Sequence, residues 1–150
     1  MLKIGDTAPD FTAATDAGEQ IQLSGLRGKK VVLYFYPKDE TPGCIKEACD
    51  FRDNLAAIRE KGAEVLGVSV DSVASHQGFR DHYKLPFPLV SDESKSIVQS
   101  YGVWRERERD GKKSMGTART TFVIDEQGRI ARIFENVSPE GHSAEVASAL

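Results

Sequence analysis

The period of the apolar positions changes along the chain, and each change marks an expected element. Val31-Val32-Leu33-Tyr34-Phe35-Tyr36 is apolar and β-branched or aromatic without alternation, as expected of a central strand covered on both faces. Upstream, Gln20-Ile21-Gln22-Leu23 alternates. With Ala8–Thr12 and a turn at Asp16–Glu19 it predicts a small N-terminal β-hairpin, followed by a loop or single helical turn over Ser24–Lys30. From Cys44 the pattern becomes helical: Cys44, Ala48, Phe51, Leu55 and Ile58 recur at spacings of four, three, four and three. That is one apolar stripe on a helix from Cys44 to Lys61, stopped by Gly62. Glu64–Val70 predicts a second buried strand, so strand, helix and strand form a parallel βαβ unit with a right-handed crossover.

Further along, Asp71-Ser72 can cap a helix over Val73–Tyr83, which Leu85-Pro86-Phe87-Pro88 breaks. A short strand near Leu89-Val90 and a helix over Ser94–Tyr101, ended by Gly102, follow. The run Arg105–Lys113 reads as a solvated loop or exposed hairpin. Thr120–Asp125 and Arg129–Phe134 flank the turn Glu126-Gln127-Gly128 as an antiparallel hairpin, and Ser143–Leu150 is a weak C-terminal helix. The sum is an α/β fold of the thioredoxin-like kind, a mixed central β-sheet flanked by helices with an N-terminal β-hairpin extension, expected as a single domain over residues 1–150.

Composition narrows the function more than the fold. At 39% hydrophobic and 29% charged, the chain has an ordinary globular balance. A formal net charge of −3 argues against a nucleic-acid partner, and the longest apolar run is far too short to span a membrane. The first residues, from Met1 to Asp6, lack the apolar core of a secretory signal, so a cytoplasmic location is expected. In that compartment two cysteines read as redox-active or metal-binding rather than as a structural disulfide. Metal binding lacks ligands at suitable spacing, because His76, His82 and His142 are scattered.

Both cysteines lie in the stretch Tyr36–Cys49, where the central strand ends and the helix begins. Pro42 and Gly43 suit a tight turn that puts Cys44 within the first helical turn, where unpaired N–H groups favour a thiolate over a thiol. Cys44 is therefore a candidate nucleophile, although its place on the apolar stripe also fits a small core residue. Cys49 lies off that stripe. Five residues apart on one helix, the two Cα atoms stand about 8.6 Å apart and roughly 140° around the axis. A disulfide needs about 4.4 to 6.8 Å, so they can bridge only if the first turns unwind. Thr41 offers a hydroxyl near the thiolate, Pro42 can hold the turn and shield the site from water, and Arg119 can bring a permanent positive charge to the thiolate and to a polar substrate oxygen. Each of these also fits ordinary turn or surface chemistry.

The stretch Tyr36-Pro37-Lys38-Asp39, Thr41-Pro42-Gly43-Cys44 and Glu47-Ala48-Cys49, with Met115-Gly116 and Arg119–Asp125, closely resembles the peroxiredoxins, specifically the PrxQ or bacterioferritin-comigratory-protein group. The likeness extends over nearly the whole chain, from Gly5-Asp6 and Ala8–Phe11 to Tyr101–Trp104. It implies that Cys44 is the peroxidatic cysteine and Cys49 the resolving one, joined in an intramolecular disulfide after oxidation. Thr41 and Arg119 would orient the peroxide, Pro42 would shield the site and Pro37 would position the loop. It also implies hydrogen peroxide or organic hydroperoxides as substrate, thioredoxin or a related dithiol protein as reductant, no cofactor and a monomer. Two other readings compete. A general thiol–disulfide oxidoreductase lacks its Cys-x-x-Cys here and leaves Thr41 and Arg119 without a task. A redox-switched interaction protein would respond to oxidation without sustaining peroxide turnover.

Overall fold

The computed structural model describes residues 2–150. Met1, with which the N-terminal reading began, lies outside them, as does the side chain of Arg109. Strand β3 (Lys30–Phe35) is the middle of a five-stranded sheet. On one side it pairs in parallel with β4 (Ala63–Ser69), which pairs in parallel with β5 (Leu89–Ser91). On the other it pairs antiparallel with β8 (Thr120–Ile124), which pairs antiparallel with β9 (Ile130–Phe134).

The lack of alternation in β3 has a direct structural cause. Val32, Tyr34 and, just beyond the strand, Tyr36 enter one core cluster, while Val31, Leu33 and Phe35 enter the other, so both faces are covered. The first face is packed by α1 (Pro42–Asp53), α2 (Leu55–Glu60), α3 (Val73–Tyr83) through Phe79, and α5 (His142–Ser148) through Val146. The second is packed by α4 (Ser96–Ser100), Tyr101 and the N-terminal segment. That segment holds the expected hairpin, β1 (Thr12–Ala14) with β2 (Gln20–Gln22), and a single 3₁₀ turn at Leu23–Leu26. Among the described residues no helix is long and apolar enough to cross a membrane.

Several boundaries differ from the sequence expectation. The helix expected over Cys44–Lys61 is two helices. Asn54 interrupts it at φ −107°, ψ 9°, and its amide turns back to donate to the Asp50 carbonyl, the kind of local side-chain bond that competes with helix propagation. The apolar stripe nevertheless stays in phase across the break, with Phe51, Leu55 and Ile58 all buried. Strand β1 falls after Ala8–Phe11, because Ala8 donates instead to Gly128 and Phe11 accepts from Leu23. Helix α4 starts later than Ser94 because Asp92 draws in the backbone N–H groups of Ile97 and Val98. The charged run is the hairpin of the two alternatives, β6 (Trp104–Arg109) with β7 (Lys112–Thr117).

Candidate active site

The site is built where β3 hands over to α1. Thr41 stands at the N-cap in extended conformation and Pro42 is the first helical residue, where a missing N–H costs nothing. Pro42 and Gly43 are thus helical rather than part of the expected tight turn. The first turn closes through the Ile45 N–H donating to the Thr41 carbonyl at 2.9 Å, which brings Cys44 round to face the sheet with 1% of its surface exposed.

Arg119 meets it there from the residue before β8. Its Nη2 donates to Cys44 Sγ at 3.3 Å, and its Nη1 donates to Glu47 Oε1 at 2.6 Å. Gly43 is needed for space, not for a special backbone angle. A Cβ there would lie 3.1 Å from Arg119 Nη2 and 3.5 Å from Pro139 Cγ, so a side chain would crowd the guanidinium away from the sulfur. Arg119 thus sets a permanent cation against the Cys44 sulfur.

Glu47 was not given a role by sequence reasoning, yet its side chain is fully buried and holds the other arm of Arg119. Its signal lay in the helical phase: three residues after Cys44 and four before Phe51, it stands on the apolar stripe itself. Burial, only partly offset by Arg119 and reinforced by Asp50, pushes its carboxyl up to about 7. Among the described residues its second oxygen finds no hydrogen-bond partner, and neither does the hydroxyl of Tyr34, whose ring stacks on Phe51 at 4.6 Å. Burial raises the Tyr34 phenol far above its ordinary value, and the charges of Glu47, Cys44 and Asp39 add to this. Partial burial opposes the Arg119 charge, but Glu47 and Cys44 outweigh it and raise the guanidinium above its ordinary value.

The remaining expected residues fall into place differently. The Thr41 hydroxyl donates to the Lys38 carbonyl at 2.9 Å rather than to the sulfur, and makes no cap bond. Pro42 is exposed at the helix start, and Pro37 is half-buried in the loop before it. Cys49 is half-buried, on the same unbroken helix as Cys44, and both thiols are free. A second polar cluster, unforeseen in the sequence, lies behind the loop: Asp39, Asp71 and His76 bring ligand atoms within 4.8 Å of one another. Their atoms are engaged by Tyr36, Ser75, Ser69 and the Val90 carbonyl.

The chain matches known proteins over nearly its whole length. Residues 4–133 match the model of the AhpC/TSA family. Peroxiredoxin Bcp of Bacillus subtilis is 42% identical over 149 residues, covering 99% of this chain and 95% of its own. Among solved structures, a PrxQ mutant of Xylella fastidiosa superposes with a TM-score of 0.94 at 34% identity, covering 99% of this chain and 94% of its own. The bacterioferritin comigratory protein of Xanthomonas campestris, described for its alkyl peroxide reduction activity, gives 0.91 at 35% identity, with 99% and 95% covered.

Proposed function

The chain belongs to the AhpC/TSA family as a thiol peroxidase of the Bcp or peroxiredoxin Q group, and from that premise we propose that Cys44 is its peroxidatic cysteine and Cys49 its resolver. The observation that carries this reading is the buried Cys44 sulfur 3.3 Å from a guanidinium whose other arm is fixed by Glu47. The Cys44 thiolate attacks one peroxide oxygen, the O–O bond breaks, and its electron pair leaves on the other oxygen, which takes a proton to become water or an alcohol. Cys44 is then a sulfenic acid. Arg119 faces the position where charge develops, a preorganised donor rather than one recruited during reaction. Thr41, already donating to Lys38, has its lone pairs left to accept from the hydroperoxide O–H. Pro37 and Pro42 shape the loop and helix start that carry both.

Resolution requires motion. After the first turns of α1 unwind, the Cys49 thiolate attacks the Cys44 sulfur, forms the disulfide and expels hydroxide, which leaves as water. A dithiol of the thioredoxin type reduces the bond by exchange, taking up the disulfide as its own. An intrachain bridge needs no second subunit, so the enzyme works as a monomer, as one domain over residues 1–150, in a reducing cytoplasm. Hydrogen peroxide and organic hydroperoxides both serve as substrate.

Intact mass after one equivalent of hydrogen peroxide tests the assignment. The reduced protein is expected to lose two hydrogens, and a Cys49→Ser variant to gain one oxygen. Unchanged masses in both would overturn the roles given to Cys44 and Cys49.

A further inference from the structure

The loop that leads into α1 carries one half of a buried acid–base pair that the reaction as described does not use. Asp39 is in the loop between β3 and α1, two residues before the N-cap Thr41. Its carboxylate accepts from three side chains: Tyr36 Oη at 2.7 Å, Ser75 Oγ at 2.8 Å and His76 Nδ1 at 2.6 Å. The other ring nitrogen of His76 lies 2.9 Å from the Val90 carbonyl, which can only accept, so Nε2 carries a proton. Behind them, Asp71 Oδ2 accepts from the Asp39 backbone N–H and from Ser69 Oγ. Asp39 thus meets the end of β3 and the first turn of α3 directly, and the end of β4 and strand β5 through Asp71 and His76.

The loop needs such an anchor. Glu40, the residue between Asp39 and Thr41, has a φ of 58°, a left-handed conformation that a non-glycine residue keeps only when its surroundings hold it. The cap residue Thr41 makes no side-chain bond to the helix it starts. Fixing of the helix start thus falls to the residues before it, of which Tyr36 and Asp39 are buried and bonded to each other.

We propose that Asp39 and His76 are positioning residues for the peroxidatic cysteine: their buried contact fixes the loop that delivers Thr41 and Cys44 to Arg119. The pair acts through the loop and touches neither sulfur nor peroxide. Burial opposes the His76 charge, but Asp39 outweighs it and raises the imidazole above its ordinary value, which keeps the contact charge-assisted. Because the anchor precedes the segment that unwinds, it serves the attack on peroxide and is not required for disulfide closure. This inference rests on the reading of Cys44 as the attacking residue.

The test is quenched-flow mass spectrometry on the reduced full chain with hydrogen peroxide, following loss of the Cys44 thiol and gain of the disulfide as separate rates. In Asp39→Asn and His76→Gln, thiol oxidation is expected to fall at least about tenfold, the size of a small misplacement of reacting groups, while closure is no slower than in the wild type. The double variant should be no worse than the poorer single, since the two act as a unit. Tyr36→Phe keeps the ring and removes one bond to Asp39, so it should slow oxidation by a few-fold at unchanged closure. It decides the matter alone if the other variants do not fold. Oxidation within twofold of wild type, or both rates falling in proportion, would overturn the proposal. A wild-type protein inert to peroxide would instead overturn the function assigned to Cys44.

Discussion

The two halves of α1 are held in unlike ways, although they form one helix. The second half is tied on several sides. Phe51 is fully buried against Tyr34 and edge-on to His142, the Asp50 carboxylate accepts the Ser143 N–H at 2.8 Å, and Arg52 donates to the Tyr83 carbonyl at 2.7 Å. Asn54, just beyond, donates to Ser143 Oγ. The first half has Cys44 and Ala48 in the core and Arg119 bonded to Cys44 and Glu47, but one Glu47 oxygen finds no partner among the described residues, Thr41 makes no cap bond, and the tie between Lys46 and Glu140 lies in solvent. The difference teaches where the helix can open. The segment from the N-cap to Cys49 is the weakly held part, and the ties to α5 begin at the next residue.

The strongest way to break this contrast is to remove its heaviest anchor. Phe51→Ala should destabilise the whole protein by about 3 to 5 kcal/mol, read by urea denaturation, because a buried aromatic ring is lost between the sheet and α5. A comparable loss on truncating Ala48→Gly would erase the distinction between the halves.

The next effect concerns Glu47 and pH. Its folded carboxyl titrates near 7 against an ordinary value of 4.5, because burial penalises the charged form more than Arg119 relieves it. In the window between these values the folded site holds a proton that the unwound segment releases. The stability contributed by neutral Glu47 is therefore complete below about pH 4.5 and is lost as pH rises through about 7, by up to roughly 3 kcal/mol. Denaturation across that window should show the wild type falling steadily below Glu47→Gln, which cannot titrate. Parallel curves would mean that burial of Glu47 does not strain the first half.

Helix phase, central strand and hairpins were legible in the sequence because they depend on local period. Cys44 and Arg119 were legible as candidates by residue type, but their meeting was not, since they are 75 positions apart and join only through the β3–β8 pairing. Glu47 could have been found, a lone acid on an apolar stripe. The space required at Gly43 could not, because it depends on where a distant guanidinium lies. Asp39 and His76 fall in the same class: each sits in an unremarkable polar context in sequence, and only the fold encloses them together. The Asn54 break has a local cause, the amide bonded back to Asp50, and only its Ser143 partner from α5 was hidden.

Smaller effects sharpen the comparison. Ser143→Ala removes the Asn54 tie and should cost about 1 kcal/mol, whereas Lys46→Ala should cost well under 1 kcal/mol, since both partners of its ion pair are largely exposed. Equal losses in denaturation would show that the two halves are anchored alike.

The most direct test is amide hydrogen exchange along α1, in the reduced protein and again in the Cys44–Cys49 disulfide form. Protection should be weaker from Cys44 to Cys49 than from Asp50 to Ile58 when reduced. In the disulfide form it should vanish over the first stretch while the second keeps it. Uniform protection along the helix when reduced, or loss of protection beyond Asp50 on oxidation, would contradict the account.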